Sequence, residues 1–211
     1  MKQIYYVIQT LLRGRGSNII KVLSLGLALT MSILLFVRVV FEQSYDTCYR
    51  DLDRIYQLFS IFTINGEQGE PSELNLPPVA GAVLENFPQE VEAAVSVCKY
   101  MAFGPLYNGS VRFKDYAVMA DSLFFQTLGI EVLRGDLLHE LQQKDVVFLS
   151  DRLAQKMFDD EDPVGKVINY DKQLQLTVKG IYAALPENST MNPEAVISIV
   201  SAWSRDWAEY S

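Results

Sequence analysis

The hydrophobic pattern of the chain is dominated by one apolar segment close to the N-terminus. Residues 22–37 carry no charged side chain, and the apolar stretch runs over residues 19–41, with Lys21 and Arg38 near its ends. A helix of this length measures about 35 Å at about 1.5 Å per residue, and the hydrocarbon core of a bilayer is about 30 Å thick. The pattern therefore predicts a single transmembrane helix over residues 19–41.

A cleaved signal peptide is the alternative interpretation of this segment. Its apolar core is long for a signal peptide, and residues 38–42 (RVVFE) offer no small-x-small cleavage site, so we expect an uncleaved anchor. The preceding residues 1–18 place apolar side chains at helical spacing among basic ones. This arrangement predicts a cytoplasmic amphipathic segment on the membrane surface, with the basic start of a targeting signal as the alternative.

Charge is distributed unevenly along the chain. The whole chain carries a net charge of −8 and its first 41 residues carry +5, which leaves −13 on residues 42–211. Because basic residues are retained on the cytoplasmic side of a membrane, we expect a cytoplasmic N-terminus and an extracytoplasmic location for residues 42–211. The basic start suits an anionic lipid surface, and the acidic body argues against a nucleic-acid partner.

Strand-like and helix-like segments alternate after the anchor, which predicts an α+β fold. Residues 54–64 alternate in polarity and are rich in Ile, Tyr and Phe, so a strand is predicted there, and Asn65-Gly66 is a strong signal for a hairpin turn. Aromatic residues in and before this segment and at positions 124–125 are interpreted as core: Tyr49, Tyr56, Phe59, Phe62, Phe124 and Phe125. Further strands are predicted over 91–100, 111–119, 144–149, 166–170 and 174–183, and helices over 77–87, 121–128 and from Ser150 or Asp151 to Phe158.

Sequence patterns typical of catalysis are absent. There is no phosphate-binding P-loop, no Gly-x-Ser-x-Gly motif and no His-Glu-x-x-His motif. The one histidine, His139, lies in a polar stretch and is interpreted as a surface residue, and the acidic residues 159–162 are interpreted as a solvated turn rather than a calcium loop. We therefore predict no catalytic, cofactor-binding or metal-binding residues, and no enzymatic activity.

Two features leave alternatives open. Cys48 and Cys98 could form a disulfide in an oxidising compartment or remain buried thiols, because their spacing in sequence does not fix their distance in space. Residues 188–190 (NST) match the N-glycosylation pattern, although a pattern of three residues often occurs by chance.

Three stretches of the sequence share their motifs with a known family. The first comprises residues 24–28 (SLGLA), 41–46 (FEQSYD) and 53–56 (DRIY), and the second runs from residues 120–125 (ADSLFF) to Gly135-Asp136. The third and most specific stretch combines residues 147–158 (VFLSDRLAQKMF), 162–166 (DPVGK), 177–181 (TVKGI) and 185–189 (LPENS). Together they resemble the MacB-like periplasmic core domain of FtsX-like ABC transporter permeases.

The resemblance implies a bacterial inner-membrane permease whose residues 42–211 are periplasmic. In this family an ATPase moves the membrane helices from the cytoplasmic side, and these helices transmit force to the periplasmic domain during export of a lipid, peptide, toxin or drug. The expected partners are therefore an ABC ATPase, a second permease copy and membrane lipid. The resemblance assigns no catalytic role to any residue.

Family permeases carry further membrane helices, whereas this sequence shows no second apolar span before Ser211. We therefore expect a fragment with an incomplete periplasmic domain, whose ATPase docks through parts that the sequence does not contain. A membrane-anchored extracytoplasmic sensor or adaptor is the alternative function, since it would share the single anchor and the acidic outer domain. An anchored hydrolase is a third interpretation, for which no site is visible in the sequence.

Overall fold

The structure, a computed structural model, describes residues 5, 6, 9, 17–75, 79–99, 104–136, 140–172 and 174–203. It divides the chain into two compact units, Met1–Tyr45 and Asp46–Ser211. Most of residues 1–18, for which the sequence predicts an amphipathic segment, lie outside the described residues.

The first unit contains one long helix, α1, which spans Ser17–Gln43. Its segment Ile20–Gln43 is long and apolar enough to cross a membrane, and its side chains are not buried within the protein. Within this segment the hydroxyl of Thr30 donates to the carbonyl of Gly26 at 2.9 Å. This hydrogen bond satisfies a polar group that a hydrocarbon environment could not solvate.

The described residues of the second unit form a two-stranded ribbon and a mixed nine-stranded sheet. The ribbon consists of β1, Thr63–Ile64, and β2, Glu67–Gln68. The sheet consists of β3 (Val97–Cys98), β4 (Leu106–Asn108), β5 (Val111–Phe113), β6 (Ala117–Ala120), β7 (Val132–Arg134), β8 (Val146–Ser150), β9 (Val167–Tyr170), β10 (Leu174–Tyr182) and β11 (Ala195–Ser198).

The order of the strands places β11 and β8 in the interior of the sheet. The strands follow one another as β3-β6-β11-β8-β10-β9-β4-β5, and β7 also pairs with β10. The pairs β10–β8 and β11–β6 are parallel, and the other pairs are antiparallel. Strands β8 and β11 are buried along their whole length, as expected for a sheet that is covered on both faces.

Short helices accompany the sheet: α2 (Val79–Asn86), α3 (Phe124–Leu128), α4 (Asp151–Phe158) and α5 (Val200–Trp203), with a 3₁₀ turn at Leu52–Arg54. Helix α4 begins after Ser150, whose hydroxyl accepts the backbone N–H of Leu153 at 2.9 Å, so Ser150 is the N-cap and Asp151, the other candidate from the sequence, is the first helical residue. The amphipathic helix buries Leu153, Ala154, Met157 and Phe158.

Two hydrophobic clusters form the core, one on each face of the sheet. Alternation along β8 places Val147 and Leu149 in the first cluster, and Val146 and Phe148 in the second. The α+β fold class predicted from the sequence is confirmed. Phe124 and Phe125 are fully buried in the second cluster, as predicted.

The two cysteines lie against different clusters. Cys98 packs against the first cluster and Cys48 against the second, and both thiols are free. Both cysteines are half-buried rather than buried, so of the two alternatives the structure shows free thiols but not their full burial, and it contains no disulfide between Cys48 and Cys98.

The predicted strand over residues 54–64 is largely wrong. Only Thr63–Ile64 is a strand, and Tyr56, Phe59 and Phe62, which the sequence predicts to be core residues, are exposed. The segment has apolar side chains but no sheet against which to bury them. The hairpin turn is confirmed, because Asn65 and Gly66 have φ angles of 54° and 87° between the paired strands β1 and β2.

Other strand predictions are correct in place but not in extent. The segment 91–100 contributes only Val97–Cys98 to the sheet, and the segment 111–119 is divided between β5 and β6. Each of these short strands is held in the sheet by a neighbouring strand: β3 pairs with β6, β5 with β4, and β6 with β11.

Candidate functional site

Asp46, the first residue of the second unit, binds a loop that is distant in sequence. This residue adopts a left-handed conformation with φ 60°, and its backbone N–H donates to the carbonyl of Asn188 at 3.0 Å. Its carboxylate accepts two hydrogen bonds from Thr190, one from the backbone N–H at 2.6 Å and one from the hydroxyl at 2.5 Å. Asp46 thus holds three groups of one loop, although 144 positions of sequence separate it from Thr190.

A second attachment is made by Tyr49, whose ring is buried with 9% of its surface exposed. Its hydroxyl lies 2.7 Å from the carbonyl of Met191 and in contact with the hydroxyl of Ser189, which is itself 2.9 Å from the same carbonyl. Burial raises the pKa of the Tyr49 phenol above its ordinary value, so the hydroxyl remains protonated. We call Asp46, Tyr49 and the loop 188–191 the exit clamp.

A third contact supports the exit clamp at the end of helix α3. Gly129 terminates this helix with φ 65°, and its backbone approaches Arg50 so closely that a Cβ atom at Gly129 would lie 2.4 Å from the Arg50 Cβ. Only glycine combines this conformation with this approach. The chain from Asp46 to Arg50 therefore contacts two other parts of the second unit, the loop 188–191 and the end of α3.

The loop of the exit clamp is fixed to helix α4 at one end and to the sheet at the other. Before it, the Arg152 guanidinium donates to the carbonyl of Leu185 at 2.9 Å. After it, the buried Tyr182 hydroxyl donates to the carbonyl of Pro193 at 2.7 Å, and the Ser150 N–H donates to the carbonyl of Glu194 at 2.8 Å. Because β11 begins at Ala195, a displacement of the loop reaches an interior strand of the sheet directly.

A polar cluster stabilises the junction between this loop and helix α4. The Ser150 hydroxyl donates to the carboxylate of Glu194, and the Arg152 guanidinium lies 3.1 Å from the other oxygen of that carboxylate. The Asp151 carboxylate accepts the N–H of Ala184 at 3.0 Å. Each charged group of the cluster has a partner of opposite charge or a hydrogen-bond donor, so the arrangement is suited to holding the loop rather than to reaction chemistry.

The concave surfaces that the described residues form are shallow. One depression of about 430 Å³ is lined by Tyr107, Gly109, Ser110, Asn169 and Lys172, and another of about 250 Å³ lies beside residues 157–161. Among the residues that the structure describes, no group of three or more His, Cys, Asp or Glu side chains could hold a metal ion.

The structure assigns roles to several residues that the sequence singled out. In the acidic segment 159–162, Asp162 accepts the N–H of Val164 at 3.0 Å and pairs with Arg134 at 2.7 Å, and these interactions lower the pKa of the Asp162 carboxyl. This is the geometry of a structured surface turn. His139 lies outside the described residues.

Sequence reasoning missed the exit clamp. The residues 188–190 were noted only as a glycosylation pattern, and Tyr49 only as a core aromatic residue, whereas the structure joins them. The available signal was the presence of both the FEQSYD and the LPENS motifs, since each contributes part of the clamp.

One protein family and several solved structures are similar to this chain. The family described as MacB-like periplasmic core domain matches residues 21–210. A domain attributed to a permease protein from Porphyromonas gingivalis has a TM-score of 0.52 and 22% identity, and the match covers 63% of this chain and 55% of that one. The periplasmic region of MacB from Actinobacillus actinomycetemcomitans has a TM-score of 0.43 and 21% identity, with 58% and 54% covered. The chain spans about half the length of these solved domains, and no curated protein matches it.

Proposed function

The chain belongs to the family of MacB-like periplasmic core domains, and we propose that it serves as the membrane component of an ABC transporter. In this proposal a cytoplasmic ATPase drives export or extraction of a substrate through force transmitted to the periplasmic domain. Residues 1–18 are cytoplasmic, residues 19–41 span the inner membrane and residues 42–211 lie in the periplasm. The proposed partners are the ATPase, a second permease copy and membrane lipid.

The exit clamp is the observation that carries this proposal. The chain passes from the membrane-spanning helix, which ends at Gln43, to Asp46 within three residues. In this proposal a movement of the helix is passed along these residues to Asp46, which binds the loop 188–191. Because this loop leads directly into β11, the clamp joins the first residues of the second unit to the centre of the sheet.

A sensor would also connect an anchor to an outer domain, so the decisive test concerns the ATPase. The permease, in a form that includes the further membrane helices of the family, is produced together with a candidate ABC ATPase, purified in detergent and reconstituted in nanodiscs. We expect the two proteins to co-purify, and ATP hydrolysis to change amide hydrogen exchange in the loop 186–194 and in β11. Absence of the ATPase from the purified complex would contradict the transporter proposal and favour the sensor or adaptor.

A substitution in the clamp separates force transmission from ATP hydrolysis. Asp46→Gly removes the carboxylate but tolerates the left-handed conformation, so it breaks the bonds to Thr190 without straining the backbone. We expect hydrolysis to continue while the ATP-dependent change in exchange at β11 diminishes. The control Lys156→Gln breaks an exposed ion pair with Asp115 of 2.8 Å outside the clamp, and should leave the change intact. An undiminished response in Asp46→Gly would refute transmission through the clamp.

A further inference from the structure

The chain contains the dipeptide Asn-Gly twice, at residues 65–66 and at residues 108–109. Asparagine is among the chemically labile residues of proteins, and a following glycine has no side chain to shield the backbone nitrogen that can attack the asparagine amide. As dipeptides the two sites are identical. Any difference in their reactivity within the folded protein therefore depends on how the structure surrounds them.

Asn65 and Gly66 form the exposed tip of the β1–β2 ribbon. Among the described residues, none bonds to the Asn65 side-chain amide and none accepts the Gly66 N–H. The strands on either side have two residues each, and all of these residues are exposed. A two-stranded ribbon of this size is marginally stable by itself, so its tip opens at little cost in free energy.

Asn108 lies in a very different environment, at the end of strand β4 in the nine-stranded sheet, where it pairs with Val111 of β5. Asn108 is half-buried, and its side-chain amide donates to the carbonyl of Met157 at 2.8 Å. Attack on this side chain requires that it rotate away from Met157 and that the backbone leave its strand conformation. Strand β4 also pairs with β9 and buries Leu106 completely, so opening of the strand disturbs the core.

We propose that Asn65 is a site of spontaneous deamidation and that Asn108 is protected from the same reaction by its place in the sheet. The Gly66 nitrogen attacks Cγ of Asn65, so that a C–N bond forms, the Cγ–Nδ2 bond breaks, and ammonia leaves with the proton of the Gly66 N–H. The product is a succinimide ring. Water then adds to one of the two ring carbonyl carbons and breaks its bond to nitrogen. Opening at Cγ gives aspartate, and opening at the main-chain carbonyl carbon gives isoaspartate.

The two products have different effects on the ribbon. Aspartate retains the hairpin turn, because Asp-Gly adopts the same positive φ angles as Asn-Gly. Isoaspartate adds a methylene group to the main chain between β1 and β2, so the pairing of Ile64 with Glu67 is lost. Both products add a carboxylate to residues 55–66, which carry no charge, close to the carboxylate of Glu67. The modification therefore changes the charge of the tip and, in the isoaspartyl form, its shape.

The test compares the two sites within one molecule. The full chain is incubated in detergent at mildly alkaline pH, which promotes loss of the glycine N–H proton, and is then digested. Mass spectrometry measures the conversion at Asn65 and Asn108, with an unincubated sample as the zero. We expect conversion at Asn65 to be at least about tenfold faster, because an exposed turn opens far more often than a strand of the sheet. An isoaspartyl-specific methyltransferase should label the fragment that contains residue 65.

Incubation in urea is the matched control, since it removes the fold and keeps both dipeptides. The two sites should then convert at similar rates, because Asn108 has lost its bond to Met157. A preference for Asn65 that persists unchanged in urea would refute protection by the sheet. Equal rates in the folded chain, or an Asn65 that converts only in urea, would overturn the proposal. Asn65→Gln, whose longer side chain closes the corresponding ring less readily, should abolish labelling of its fragment, and labelling that survives would place the modification elsewhere.

Discussion

Removal of one hydroxyl, by Tyr49→Phe, tests whether the exit clamp holds the domain together. The substitution keeps the buried ring and deletes only the hydrogen bonds to Ser189 and Met191. The Met191 carbonyl still receives the Ser189 hydroxyl at 2.9 Å, so no buried acceptor is left without a donor. The expected cost is therefore that of one ordinary hydrogen bond, about 1 kcal/mol. For a domain of about 150–250 residues this lowers Tm by about 2–4 °C.

The measurement is thermal and urea unfolding of the full chain in detergent, followed by circular dichroism. Tyr56→Phe is a matched control, because Tyr56 is 82% exposed and its hydroxyl makes only a long contact of 3.3 Å with Asp53 O. We expect the control to change stability by less than about 0.5 kcal/mol. If Tyr49→Phe is no more destabilising than Tyr56→Phe, the hydroxyl does not hold the loop and the clamp is weaker than its geometry indicates.

The pH dependence of the same pair of proteins provides a second measurement. Burial raises the pKa of Tyr49 above its ordinary value of 10.0, so the folded state retains the phenol proton longer than the unfolded state. Its contribution to stability is therefore complete below pH 10.0 and is lost as pH rises through the folded-state pKa. The stability difference between wild type and Tyr49→Phe should consequently shrink above pH 10.0, while the other buried tyrosines affect both proteins equally.

Three further predictions concern the sheet and its thiols. Gly180→Ala should destabilise the domain by at least about 1–3 kcal/mol in urea unfolding, because the new Cβ would lie 2.1 Å from a ring carbon of the buried Phe148. Gly81→Ala, whose Cβ would have no atom within 4 Å, should instead stabilise helix α2 by up to about 1 kcal/mol. Equal effects of the two substitutions would refute this packing. Ser150→Ala should cost about 0.5–2 kcal/mol by removing the N-cap of α4, and an unchanged unfolding midpoint would contradict that role. Alkylation after unfolding without reductant should modify both Cys48 and Cys98, and an oxidised mass 2 Da lower (about two hydrogens) would reveal the disulfide that the structure excludes.

Local signals account for the elements that were predicted well. The Asn65-Gly66 turn requires only two residues with positive φ, and the cap at Ser150 requires only the neighbouring N–H of Leu153. The amphipathic spacing of α4 likewise lies within eight residues. The predicted strand over residues 54–64 was wrong because alternation shows that a segment can pair, not that a partner is present.

Burial and the exit clamp depended on contacts between distant parts of the chain. Phe59 and Phe125 are the same residue type, yet one is 54% exposed and the other is fully buried, because only Phe125 lies beneath the sheet. Nothing within the FEQSYD motif shows that Asp46 binds Thr190. That contact exists because β10 and β11 place the loop between them beside Asp46, in the segment that follows helix α1.

The sequence by itself determined the long apolar segment at residues 19–41, the uneven division of charge before and after it, the α+β class and the family. These properties follow from composition, hydrophobic periodicity and short motifs, all of which are set by residues close together in the sequence. The tertiary structure alone decided which apolar side chains are buried, that the two thiols lie on opposite faces of the sheet, and how the exit clamp is joined. Each of these depends on the order in which strands pair across the sheet. Pairing between distant segments is not revealed by any local pattern of hydrophobic and polar residues.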